Sequence, residues 1–261
     1  VGASYTAELK DVFVPPLLDG QYRIIVRTDI FDEVYEAADE DNNARTSADP
    51  IEIAVPELTL GVATDTTLRA GQARLYKVNV GAGETLRFSV NSDASSAANE
   101  VFVRYGALPD GSSYDAAFET PLQANQQALI PRTEAGTYYV LVREFSGPEQ
   151  GHVEVKAELM PFQVTDIKVD QGGDSRWVTV EVRGARFSDE ALLKLVRPGI
   201  EEIEPVRYQV IDATRIIATF DLRDREKGLY DVSVINPDGA EATLPYRFLV
   251  ERALPIDVTI G

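Results

Sequence analysis

The sequence predicts an all-β protein built from tandem β-sandwiches, and three observations predict it. The pattern Gly-x-Tyr-x-[Ile/Val]-x-Val occurs three times: Gly20-Gln-Tyr22-Arg-Ile24-Ile-Val26, Gly136-Thr-Tyr138-Tyr-Val140-Leu-Val142 and Gly228-Leu-Tyr230-Asp-Val232-Ser-Val234. A turn glycine followed by apolar residues two apart describes a strand leaving a tight turn with one face on a core. The copies lie roughly a hundred residues apart, the length of one sandwich. Between them, short alternating segments recur, separated by Gly, Pro, Asn and Asp, a rhythm of sandwiches rather than of βαβ units.

The elements follow in chain order. In residues 1–55, Ser4–Phe13, Gln21–Thr28 and Ile51–Val55 are expected strands, with a turn at Pro15-Pro16-Leu-Leu-Asp19-Gly20 and an acidic loop before the third strand. These are too few for a whole sandwich. Residues 56–160 carry Leu75–Val80, Thr85–Val90, Val101–Tyr105 and Gly136–Val142, parted by Gly81-Ala-Gly83, Asn91–Asn99 and Pro109-Asp-Gly111. Residues 161–251 carry Trp177–Val182, Leu192–Val196, Arg207–Val210, Ile216–Phe220, Tyr230–Ile235 and Leu244–Val250, and Asn236-Pro-Asp238-Gly239 is a hairpin turn. Ser188–Leu193 is the one expected helical turn. Joints fall near Pro56 and Met160-Pro161, both short enough to hold neighbours at fixed angles. Residues 252–261 alternate like a strand and read as the start of a further segment or a donor strand.

Composition narrows the partners. The chain of 261 residues has a formal charge of −18 and no cysteine. That balance disfavours nucleic acid, which needs Lys and Arg to displace counterions, and anionic membranes. It favours hard cations, Ca²⁺ above all. Disulfides, thiolate zinc and thiol nucleophiles are excluded, and no run of 18 apolar residues suggests membrane insertion.

Three resemblances then attach to particular residues. Residues 1–55, through Val14-Pro-Pro-Leu-Leu-Asp-Gly20-Gln-Tyr22 and Asp32-Glu-Val34-Tyr-Glu36…Glu40-Asp-Asn42-Asn43, resemble the second half of a CARDB domain, with one extra residue between Glu36 and Glu40. Residues 56–160 resemble a pre-peptidase C-terminal (PPC) domain through Gly71-Gln-Ala-Arg-Leu-Tyr76, Ala82-Gly83-Glu-Thr-Leu86, Val101-Phe-Val-Arg-Tyr105-Gly106 and Ala135-Gly136-Thr-Tyr138-Tyr139-Val-Leu-Val142. Glu100-Val101 stands where that family has Asp-Leu. Residues 161–251 resemble an IPT/TIG domain through Val180-Glu-Val182-Arg-Gly184-Ala-Arg-Phe187 and Gly228-Leu-Tyr230…Asn236-Pro237-Asp238-Gly239. The resemblances imply immunoglobulin-like and PPC-like (jelly-roll) sandwiches in a modular bacterial protein, extracellular or at the cell surface, with Ca²⁺ in some PPC members.

Candidate sites are carboxylates. Asp29, Asp32, Glu36, Asp39, Asp41 and Asn43 crowd one loop, where like charges call for a cation or for solvent. Asp39-x-Asp41-x-Asn43 opens like an EF-hand, but Ala44 and Pro50 occupy its glycine and closing glutamate positions, so that reading fails. A Ca²⁺ loop of another kind and a solvated loop with Asn43 capping its turn both stand. Asp93, Glu100 and Asp115, beside the turn residue Asp110, form the second candidate, implied by the PPC resemblance. His152, the single histidine, has no Gly-x-Ser-x-Gly elbow to serve, and no catalytic residues are assigned. Tyr105, Tyr114, Tyr138, Tyr139 and Trp177 are core or rim aromatics in preference to a carbohydrate platform.

The function expected is a non-catalytic spacer, adhesion or assembly segment, with Ca²⁺ as the candidate cofactor. Its partners would be protein or carbohydrate at the cell surface, or copies of itself. Two alternatives remain: the accessory region of a secreted peptidase, and an extracellular filament subunit joined by strand donation.

Overall fold

The computed structural model describes residues 12–28, 30–31, 43–148 and 150–253. Among them are twenty-one strands and no helix. The fold class is all-β, in tandem β-sandwiches.

In the N-terminal part, β1 (Gly20–Tyr22) pairs with β4 (Ile51–Ile53), and β2 (Ile25–Arg27) pairs with β3 (Ala44–Thr46), all antiparallel. The expected single strand Gln21–Thr28 is therefore two strands. The break falls at Arg23-Ile24, where the Arg23 guanidinium donates to the carbonyls of Ser47 and Ala48 at 2.7 and 2.6 Å and the chain changes partner. Ser4–Lys10 and Asp11, most of the first expected strand, lie outside the described residues.

The middle part holds β5 (Ala63–Leu68), β6 (Ala73–Val80), β7 (Thr85–Ser92), β8 (Ala98–Tyr105), β9 (Ala116–Ala117), β10 (Gln126–Ile130), β11 (Gly136–Ser146) and β12 (Gly151–Met160). They form two four-stranded sheets, ordered β10-β7-β12-β5 and β6-β11-β8-β9. Alternate residues of both turn inward: Leu86, Phe88 and Val90 from one, Val101, Val103, Val140 and Val142 from the other, all fully buried. Each such side chain contributes about 1.5–3 kcal/mol through burial.

The C-terminal part holds β13 (Gln163–Lys168), β14 (Gln171–Gly173), β15 (Trp177–Ala185), β16 (Leu192–Arg197), β17 (Glu201–Ile203), β18 (Arg207–Asp212), β19 (Arg215–Asp221), β20 (Gly228–Ile235) and β21 (Glu241–Glu251). Its sheets run β13-β15-β19-β18 and β14-β21-β20-β16-β17, antiparallel throughout except for β14 beside β21. A second core, from Val164 to Val250, lies between them, with Phe187, Phe220, Tyr230 and Phe248 at its centre. The helical turn expected at Ser188–Leu193 is instead a short turn closed by Ala191 N–H donating to Ser188 O at 3.0 Å, and Leu192 already begins β16.

The repeated Gly-x-Tyr pattern has one physical meaning in all three places. The tyrosine hydroxyl bonds the backbone four residues upstream: Tyr22 donates to Leu18 O at 3.0 Å and Tyr230 to Glu226 O at 2.7 Å, while the Tyr138 oxygen accepts Glu134 N–H at 2.9 Å. The ring thus staples the turn to the strand it opens. The glycine is required in the second and third copies: Gly136 and Gly228 have φ of +144° and +141°, and a Cβ on either would lie 2.8 Å from Tyr105 Oη or Arg197 Cζ.

Candidate functional site

Of the loop candidates, Asp29, Asp32, Glu36, Asp39 and Asp41 lie outside the described residues, and Asn43 lies within them. Asn43 holds Thr28 at the loop's base: its carbonyl accepts Thr28 N–H at 2.9 Å and its Oδ1 accepts Thr28 Oγ1 at 3.1 Å.

The second candidate set is not brought together. Glu100, on the outer face of β8, binds the Arg143 guanidinium, with Nε at 2.6 Å. Asp115 Oδ2 accepts Tyr105 N–H at 2.7 Å, and Asp93 is exposed beyond β7. Asp110 closes its own turn on Ser112 Oγ, Ser112 N and Ser113 N, and the Ser112 hydroxyl does most to hold its carboxyl below the ordinary range. Among the described residues no three acidic or histidine side chains gather as metal ligands.

His152 Nε2 lies 3.2 Å from Asp65 Oδ1 across the β5–β12 pair. Ser92 is nearby, but its hydroxyl donates to the His152 carbonyl at 3.2 Å rather than to the ring. Ser92 stands opposite Val153, so it projects to the other face from the imidazole. The three side chains do not form a nucleophile–base–acid relay.

What the sequence did not reveal is how the parts are fastened. At the first joint, Asp19 accepts Lys77 Nζ at 2.9 Å through both oxygens and Val55 N–H at 2.8 Å through one. Lys77 also has its backbone paired to Pro56 O and Leu58 N. Lys77, ahead of Val55 N–H, holds the Asp19 carboxyl below its ordinary value. Beneath this polar clamp, Leu18 and Val55 pack on Leu75, Phe102 and Leu141 of the outer sheet face.

At the second joint, Thr85 Oγ1 accepts Arg186 N–H at 3.1 Å, and Glu84 pairs with the Arg186 guanidinium at 3.1 Å. Arg132–Asp189 at 2.8 Å and Arg183–Glu119 at 3.0 Å add two further ties. A polar cleft of about 570 Å³ opens beside them. Within it Arg87 is held by Glu158 and Arg183 by Glu181, which leaves Arg215 as the cation there without a carboxylate partner among the described residues. Arg87 and Arg183, already paired, offer little to a ligand.

No family model matches the chain, and no curated protein matches it. Three similar solved structures each match about two fifths of it. One is the pre-peptidase C-terminal domain of a collagenase from Bacillus anthracis (TM-score 0.34, 17% identity, 40% of this chain and 94% of that one). Another is CorA, a surface-associated copper-binding protein of Methylomicrobium album BG8 (0.32, 12%, 41% and 99%). A third is the Aeromonas hydrophila periplasmic lysozyme inhibitor PliG (0.30, 15%, 41% and 99%). Likenesses of this strength carry no functional argument.

Proposed function

We propose that this chain is a non-catalytic, stiff spacer segment of a bacterial cell-surface or secreted protein, divided near residues 56 and 161 into a partial CARDB-like unit, a PPC-like unit and an immunoglobulin-like unit. The observation that carries this reading is the fastening of both joints by paired charges, backbone bonds and, at the first, apolar packing. Tethered domains free to swing would not need them. For the third unit, the immunoglobulin-like reading is supported by its two sheets, in which the first, second, fifth and fourth main strands face the others. A fully buried tyrosine that opens β20 and bonds backwards supports it too.

Small-angle scattering of the whole chain tests the spacer role. A stiff rod gives one narrow distribution of dimensions that Lys77→Ala broadens; a broad distribution in the parent chain sinks the reading. Ca²⁺ at the loop of Asp29–Asn43 is the second part of the proposal, supported by that loop's crowded carboxylates. Millimolar CaCl₂ is expected to raise the melting temperature and chelation to reverse it, the folded state gaining about 2.7 kcal/mol at a hundredfold excess over Kd. A flat response removes calcium.

A further inference from the structure

The end of the middle sandwich holds an imbalance that one proton resolves. Glu144 ends the inward-facing run Tyr138, Val140, Val142 on β11 and is fully buried. Its cross-strand partner on β8 is Asn99, also fully buried. Directly opposed residues project to the same face with Cβ atoms about 4.5–5.5 Å apart. Among the described residues neither Glu144 carboxyl oxygen has a hydrogen-bond partner, and neither has Asn99 Oδ1. The Asn99 amide cannot be turned over to help, because its Nδ2 donates to Ala124 O at 2.6 Å. An ionised carboxylate here would be an unpaired buried charge beside the negative end of an amide dipole.

We propose that Glu144 is a neutral carboxylic acid in the folded protein, donating its O–H to Asn99 Oδ1, and that the pair is a proton-operated clasp on the end of the middle sandwich. Several connections meet at this point. Gly71 N–H donates to Glu144 O at 2.7 Å, Glu144 N–H to Gln72 O at 3.0 Å, and Asn99 N–H to Gln123 O at 3.0 Å.

The niche suits a proton better than a metal ion. A Cβ on Gly147 would lie 2.1 Å from Glu144 Oε1, and one on Gly151 2.9 Å from Oε2, so backbone closes on both oxygens. Ca²⁺ demands about six to eight oxygens around it, and among the described residues no further carboxylates gather with Glu144 to supply them. The charged groups on surrounding elements are engaged elsewhere or unbonded to Glu144. Arg143 and Glu100 bind each other on the opposite face, Arg74 donates to Thr67 O, and His152 meets Asp65. Arg69 sits over the Phe13 ring and Asp93 is exposed. Burial, with no opposing charge, pushes the Glu144 carboxyl above its ordinary 4.5.

A raised folded-state value means the folded form binds the proton more tightly than the unfolded chain does. The clasp's contribution is therefore complete below about pH 4.5 and is lost as pH rises through the raised value. Each pH unit between the two values is a tenfold change in the folded-to-unfolded ratio.

The test compares the whole chain with Glu144→Gln, which cannot titrate yet can donate to Asn99 Oδ1. Amide hydrogen exchange at Val140, corrected for the intrinsic rate, reports opening of the middle unit. From about pH 4.5 to about pH 8, protection in the parent is expected to fall about tenfold or more relative to the variant. A constant ratio overturns the proposal. Because the variant could fail to fold, carbon-13 titration of the parent's own Glu144 carboxyl stands beside it. A midpoint above 4.5 supports the clasp, and one at or below overturns it. Added CaCl₂ that stabilises the parent but not the variant would make Glu144 a metal ligand and also overturn it.

Discussion

Tyr22, Tyr138 and Tyr230 share one sequence pattern but differ in energetic weight. Tyr230 is fully buried and its hydroxyl serves Glu226 O and Glu201 Oε2 at 2.7 and 2.8 Å, whereas Tyr22 is half exposed. Tyr230→Phe removes the one hydroxyl proton that the Glu226 carbonyl and the Glu201 carboxylate share, and should cost about 1–3 kcal/mol. Tyr22→Phe, with water at hand, should cost clearly less, and urea unfolding of the two variants checks the order. This pattern was legible because three residues encode both the strand and the bond that anchors it. Glu144 was not. After Val140 and Val142 the alternation reaches an acid, which reads as a strand emerging into solvent. Only the fold reveals that the position is still inside. Glu100 was misleading for a related reason, since its partner Arg143 lies 43 residues away and sequence shows carboxylates without their cations.

At the scale of elements, tight glycines decide where strands can bend. A Cβ on Gly184 would meet Gln163 O at 2.1 Å and Phe187 Cζ at 2.3 Å, so the Gly-x-x-Phe spacing exists to let the Phe187 ring fold back on its own strand. Gly184→Ala must displace backbone or ring, and a loss of about 1–3 kcal/mol is expected, read from urea unfolding of the C-terminal unit. The Asn236 hairpin was foreseen, but not its second task. Asn236 Oδ1 accepts Ser188 N–H at 2.9 Å and its Nδ2 donates to Arg186 O at 3.0 Å, tying two turns together. The strands missed from sequence include the short β3, β9, β14 and β17, the six-residue β13, β5, rich in Thr with one large inward residue, Leu68, and β10. There Gln126 is buried at a position where apolar residues are expected. Its amide is satisfied by Thr120 O and Gln123 O of the preceding loop, bonds that no periodicity announces.

For the whole molecule, Pro56 is where the sequence places the first joint, and nothing around it announces the Asp19–Lys77 clamp. Removing the Lys77 ammonium takes away both of its bonds to Asp19 and leaves that carboxylate holding the joint through Val55 N–H alone, so Lys77→Ala should speed proteolytic cutting near residues 54–57 a few-fold, seen by timed digestion. Unchanged cutting would mean the apolar contact alone holds the joint. One feature of the sheets sets how the chain bears tension. In the middle unit, β5 and β12 are antiparallel neighbours, with Ala63 opposite Lys156. A pull on that unit's two ends therefore acts at one end of the pair and breaks its rungs singly. In the C-terminal unit β14 runs parallel to β21, Gln171 beside Leu249 and Gly173 beside Glu251. A pull there slides the strands lengthwise and loads every rung at once. Stretched in a force spectrometer, the middle sandwich should give way first, leaving the C-terminal one as the last tether.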